Sequence, residues 1–143
     1  MKRIVVGAKA GADQPWLADA AADLAQQTGA DVAVVSLDAL ELEALSTVPR
    51  SELAADARAA VDGLADRIRR TGTDVVAAEQ RSGPVVRGIL LFAEEHEADL
   101  IVVGATTRGP IARRVLGTVS TRLVERSRRP VLVIAPPGTT PSP

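Results

Sequence analysis

The sequence predicts an α/β fold, a single doubly wound five-stranded parallel sheet, and three observations lead there. Continuous apolar runs at Ile4–Ala8, Leu100–Val103 and Val131–Ile134 have the composition of strands buried on both faces. Between such runs lie segments whose apolar residues recur every three or four positions, as in helices with one buried stripe. Strand and helix alternate along the chain, the order of crossover units and not of hairpins.

Taken in order, Ile4–Ala8 is the first strand. Asp13 offers a helix N-cap with Pro15 just inside the first turn. Leu17, Ala20, Ala21, Leu24 and Ala25 then form one stripe, and Gly29 closes the helix. Asp31–Leu37 is the second strand, and residues 38–49 form a variable connection ending at Pro49. Ser51 caps a second helix with the stripe Leu53, Ala57, Ala60, Leu64 and Ile68, stopped by Gly72. Asp74–Glu79 is less apolar, as suits a sheet edge. Gly83-Pro84 opens a third helix with Val86, Leu90 and Ala93 on its inner face. The strand Asp99–Val103, a helix over about Thr118–Ser127 and the strand Val131–Ala135 complete a domain over residues 1–135. Residues 136–143, rich in Pro, Thr and Ser, read as a disordered tail.

Composition removes several classes of function. The chain has 143 residues, enough for one domain with a layered core. Cysteine is absent and His96 is the only histidine, which leaves no basis for thiolate chemistry, a zinc site or a histidine triad. Trp16 and Phe92 are the only aromatics, too few to stack the bases of a single strand, so no nucleic-acid partner is expected. The apolar run after Met1-Lys2-Arg3 breaks at Lys9, too short for a secretory signal. Nothing has the apolar length of a membrane span, and a cytoplasmic setting follows as the expectation.

Net charge is −1 but unevenly spread. Seven arginines (108, 113, 114, 122, 126, 128 and 129) stand against Glu125 between Gly104 and Pro130, giving that segment +6. From Arg122 onward a solvated helix face is the better reading; Arg108 and Arg113 suit a solvated surface or an anionic ligand equally. Other candidates have plain explanations. His96 lies late in a helix among Glu94, Glu95 and Glu97, where a cation suits the helix dipole. Trp16 reads as packing or an interface contact, and Ser120 has neither a base partner nor a nucleophile elbow.

The chemistry concentrates between Asp99 and Ala135. A strand ends at Gly104, where the lack of a side chain lets a ligand approach the backbone. Gly109 follows in the loop, and after seven intervening residues Gly117-Thr118 starts an amphipathic helix. The N–H groups of that helix start, with the hydroxyls of Thr118 and Ser120, are the parts of a phosphate-binding loop.

These residues resemble the universal stress protein family. Its nucleotide-binding members carry a glycine after the fourth strand, two residues, a glycine, nine residues, and then Gly-Ser or Gly-Thr. Gly104 and Gly117-Thr118 match the ends of that pattern, and Arg129–Val133 resembles the family's last strand. The likeness extends over residues 2–135. The middle glycine falls on Thr107, a costly residue if that position needs positive φ, and Gly109 could take its role. At the end of strand one the family usually has an aspartate; here Ala8-Lys9-Ala10-Gly11 puts Lys9 there. Lys9 could pair with a phosphate, or fill the crevice and make a nucleotide unnecessary.

The resemblance implies strand order 3-2-1-4-5 in a Rossmann-like sheet of the adenine-nucleotide-binding type. It further implies a crevice between the loops after strands one and four. The implied ligand is ATP or another adenine nucleotide, with or without Mg. Gly104, Gly109, Gly117, Thr118 and Ser120 would serve the phosphates, with a hydroxyl of Thr106 or Thr107 as a further donor. Ala8 and the backbone of Leu37 would serve the adenine, Val119 would join the nucleotide site, and Lys9 would be a changed contact. The implied role is a non-enzymatic cytoplasmic sensor or regulator, its ATP hydrolysis at most slow and incidental. It would be a homodimer through the edge strand Val131–Ile134. Two alternatives stay open: a nucleotide-free, dimeric protein-interaction module, and a sensor of a cyclic mono- or dinucleotide associated with a membrane transporter. A hydrolase of the related α/β type is more distant, since its motifs are missing.

Overall fold

The computed structural model describes residues 1–38, 49–105 and 117–138. Nine elements alternate along them: β1 (Arg3–Ala8), α1 (Pro15–Thr28), β2 (Asp31–Asp38), α2 (Arg50–Arg70), β3 (Val75–Ser82), α3 (Val85–Glu95), β4 (Leu100–Gly104), α4 (Thr118–Arg126) and β5 (Val131–Ile134). The strands form one parallel sheet in the order β3-β2-β1-β4-β5, the order that the resemblance implies. The less apolar strand is an edge, as expected, and runs three residues further than expected, to Ser82.

Strand periodicity sorts the apolar residues into two cores. Ile4, Val6, Val32 and Val34 pack with Leu17 and Ala21 of α1 and with Val61, Leu64 and Ile68 of α2. Val5, Val35, Ile101 and Val103 face the other way, onto Ile89 and Phe92 of α3 and Leu123 of α4. Because successive side chains in a strand point to opposite faces, a run without alternation fills both layers.

The helix ends correct two expectations. Gln14, not Asp13, is the N-cap residue of α1, and no side chain caps it; Pro15 stands at the helix start as expected. The Gln14 side chain is engaged elsewhere, its Oε1 accepting the Lys9 N–H at 3.0 Å. Ser51 lies inside the first turn of α2, with Pro49 in the cap position. Gly29 closes α1 with φ 72°, a left-handed conformation that favours glycine.

The lower end of the sheet is tied by charge. Arg3 forks onto its β2 register partner Asp31, with Nε–Oδ1 at 2.7 Å and Nη2–Oδ2 at 3.1 Å. The N–H groups of Lys2 and Arg3 donate to Asp99 Oδ2 at 2.6 and 3.0 Å. Among the described residues no helix is long and apolar enough to cross a membrane. The connection at 39–48 and the end of the tail, 139–143, lie outside the described residues.

Candidate functional site: a crevice at the reversal of the sheet

From β1 the chain winds outward through β2 to β3, then returns to lay β4 on the other side of β1. Ligands in such sheets sit beyond the carboxyl ends of the strands at this reversal. A cavity of about 420 Å³ lies there, a size usual for small-molecule sites. Ala8 and Lys9 line it from the end of β1, Leu37 from β2 and Gly104 from β4. Gly117, Thr118, Val119 and Ser120 close it with the first turn of α4. Thr106, Thr107 and Gly109 lie outside the described residues, as do Arg108, Arg113 and Arg114.

The first turn of α4 carries no side-chain cap; its N-cap residue is Gly117, in an extended conformation. The leading N–H groups of a helix have no partner within it and carry the positive end of its dipole, which makes them an anion site. Thr118 and Val119 are exposed, whereas Ser120 is buried. The Lys9 side chain is exposed, and its backbone is held by Gln14, which also lines the cavity.

Gly104 has a reason internal to the fold. A Cβ there would collide with Cη2 of Trp16 and stand 2.8 Å from Nε2 of Gln14. The residue thus accommodates α1 as well as facing the cavity. Leu37 is similarly fitted: a Cβ on Gly88 of α3 would lie 2.8 Å from its Cγ.

Sequence reasoning missed Asp38 and Asp56, which also line the cavity. Asp38 is buried at the end of β2, and among the described residues its Oδ1 has no hydrogen-bond partner. Its signal was phase: Ser36 and Asp38 share the face of Val32 and Val34, so a polar pair continues a buried stripe.

The remaining candidates are structural. His96 stacks on Phe92 with centroids 4.3 Å apart, and its Nε2 lies 3.5 Å from Glu79. Arg81 Nη2 donates to Glu95 Oε2 at 2.6 Å; the carboxylate raises the proton affinity of the guanidinium, and the guanidinium lowers that of Glu95. Arg122, Arg126 and Arg128 are exposed, and Arg129 Nε donates to the Ala98 carbonyl at 2.7 Å. Among the described residues no three His, Asp or Glu side chains are grouped to hold a metal. A larger cleft of about 630 Å³ opens between α1 and α2, but surface charges such as Asp66, Arg67 and Arg70 line it and the first turn of α4 does not.

The strand order and the crevice define a doubly wound α/β protein with a cavity at the sheet reversal. The model of the universal stress protein family matches residues 1–135, and the chain belongs to that family. A universal stress protein of Methanocaldococcus jannaschii is 37% identical over 62 residues, a match spanning 43% of this chain and 36% of that protein's length. The universal stress protein of Archaeoglobus fulgidus in complex with dAMP superposes with a TM-score of 0.71 at 21% identity, covering 94% of this chain and 98% of that one. A universal stress protein in complex with cAMP gives 0.66 at 25% identity, covering 97% and 98%.

Proposed function

We propose that this chain binds an adenine nucleotide, ATP or a relative, in the crevice between β1 and β4 and acts as a cytoplasmic sensor or regulator. The observation that carries the reading is the uncapped first turn of α4 opening into a cavity at the sheet reversal. Phosphate oxygens suit those N–H groups and the nearby Lys9 ammonium. Two solved relatives are complexes with dAMP and cAMP, which supports the adenine nucleotide class. The role is binding and not turnover: the only histidine is packed on Phe92, away from the crevice. Pairing of two copies through β5 belongs to the same reading, supported by its edge position and the exposed Leu132.

Mass spectrometry of the small molecule released on denaturing the purified protein tests this, backed by calorimetric titration with ATP, AMP and cyclic dinucleotides. Bound or titratable ATP or AMP supports the reading. A cyclic dinucleotide binding in their place, or no nucleotide binding at all, overturns it.

A further inference from the structure

We infer that Asp38 is the group that selects and orients the ligand, its carboxylate accepting a hydrogen bond from a donor on the nucleoside while the phosphate sits at the first turn of α4. The inference rests on the nucleotide reading above and adds to it a residue and a polarity.

Asp38 is 4% exposed, lines the cavity, and among the described residues has no hydrogen-bond partner for Oδ1. Buried carboxylate oxygens are rarely left so, because lost hydration is not replaced. Ser36, the next residue on the same face, does not relieve it, since its own Oγ is also unpartnered. An ionised carboxylate only accepts hydrogen bonds, so its missing partner is a donor. A phosphate is disfavoured at that end by like charge.

The crevice is therefore bipolar. Asp38 ends β2, and β4, which leads to α4, lies two strands away across β1. Two strand spacings come to about 10 Å. A nucleoside monophosphate spans that distance; inorganic phosphate does not. Its phosphate faces the first turn of α4, and a ribose hydroxyl or the exocyclic amine of the base meets Asp38. Both donors present the same chemistry to a carboxylate.

Calorimetric titration of the full chain with AMP, 2′-deoxy-AMP, 3′-deoxy-AMP and inosine monophosphate tests this without any variant. The expected result is that one analogue binds about ten- to a hundredfold more weakly than AMP, the effect of losing one hydrogen bond to a charged group. The analogue that loses affinity tells the ribose from the amine. Asp38→Asn should bind AMP weakly and no longer separate AMP from that analogue. Its stability in urea without ligand should equal or exceed that of the parent, because an unsatisfied buried charge has gone. Equal affinity for all four ligands in the parent, or unchanged discrimination in Asp38→Asn, overturns the role of Asp38 and leaves nucleotide binding standing. No binding of any of the four overturns both.

Discussion

The edge of the Trp16 indole occupies the space that a Cβ on Gly104 would need. Strand β4 thus ends on a glycine because helix α1 lays an aromatic ring against it, whatever the ligand requires. Gly104→Ala should lower stability by about 1–3 kcal/mol, the usual cost of overpacking a fitted contact. Urea denaturation measures it. Combining it with Trp16→Leu should be clearly less than additive, since one change makes room for the other. Full additivity would mean that the two residues do not oppose each other.

Gly88 and Leu37 give a similar contact on the other layer. Alanine in the middle of a helix is ordinarily better than glycine by about 1 kcal/mol. At position 88 the new methyl would lie 2.8 Å from Leu37 Cγ, a branch point that cannot swing aside as a chain end can. Gly88→Ala should therefore lower the melting temperature, and in a Leu37→Ala background, itself destabilised by lost core contacts, the same change should cost less. A higher melting temperature for the single variant would show that helix propensity dominates.

The sheet was legible because parallel strands announce themselves as unbroken apolar runs, and Ile4–Ala8 and Leu100–Val103 are nearly pure examples. Their spatial order came from the resemblance, since local pattern does not encode which strands pair. The helix starts were less legible: Asp13 and Ser51 are favoured cap residues, yet Gln14 and Pro49 occupy those positions. At α1 the Gln14 side chain accepts the Lys9 N–H five residues earlier and caps nothing. Of the candidate crevice, glycine and hydroxyl spacing pointed to the α4 residues that line it. Asp38 stayed hidden because a single acid at the end of an apolar strand looks like a solvated terminus.

Acid should loosen the lower end of the sheet through Asp99. The N–H groups of Lys2 and then Arg3 donate to its carboxylate and hold its pKa below the ordinary value. A depressed folded pKa means that the unfolded chain binds the proton more readily. The stabilisation is thus complete above the unfolded value, near 3.9, and is lost as pH falls through the folded one. Asp19, lowered by Arg67, and Glu95, lowered by Arg81, act in the same direction. Urea midpoints from pH 7 down to pH 3 should fall less steeply in Asp99→Asn than in the parent. Parallel pH curves would remove Asp99 from the account.

Lys9 stands where the family usually carries an aspartate, and its two possible roles predict opposite signs. Its backbone is fixed by Gln14 while its side chain is exposed at the cavity. If the ammonium meets a phosphate, Lys9→Ala should weaken ATP binding by about tenfold, in line with one charge-assisted hydrogen bond. Adenosine, which has no phosphate, should bind the two proteins alike. The parent's preference for ATP should also fall with added salt, because an exposed charge is screened. If the side chain fills the crevice instead, removing it frees the site, and both ATP and adenosine should bind Lys9→Ala more tightly. The first outcome is the one the nucleotide reading expects, because Lys9 and the first turn of α4 line one cavity.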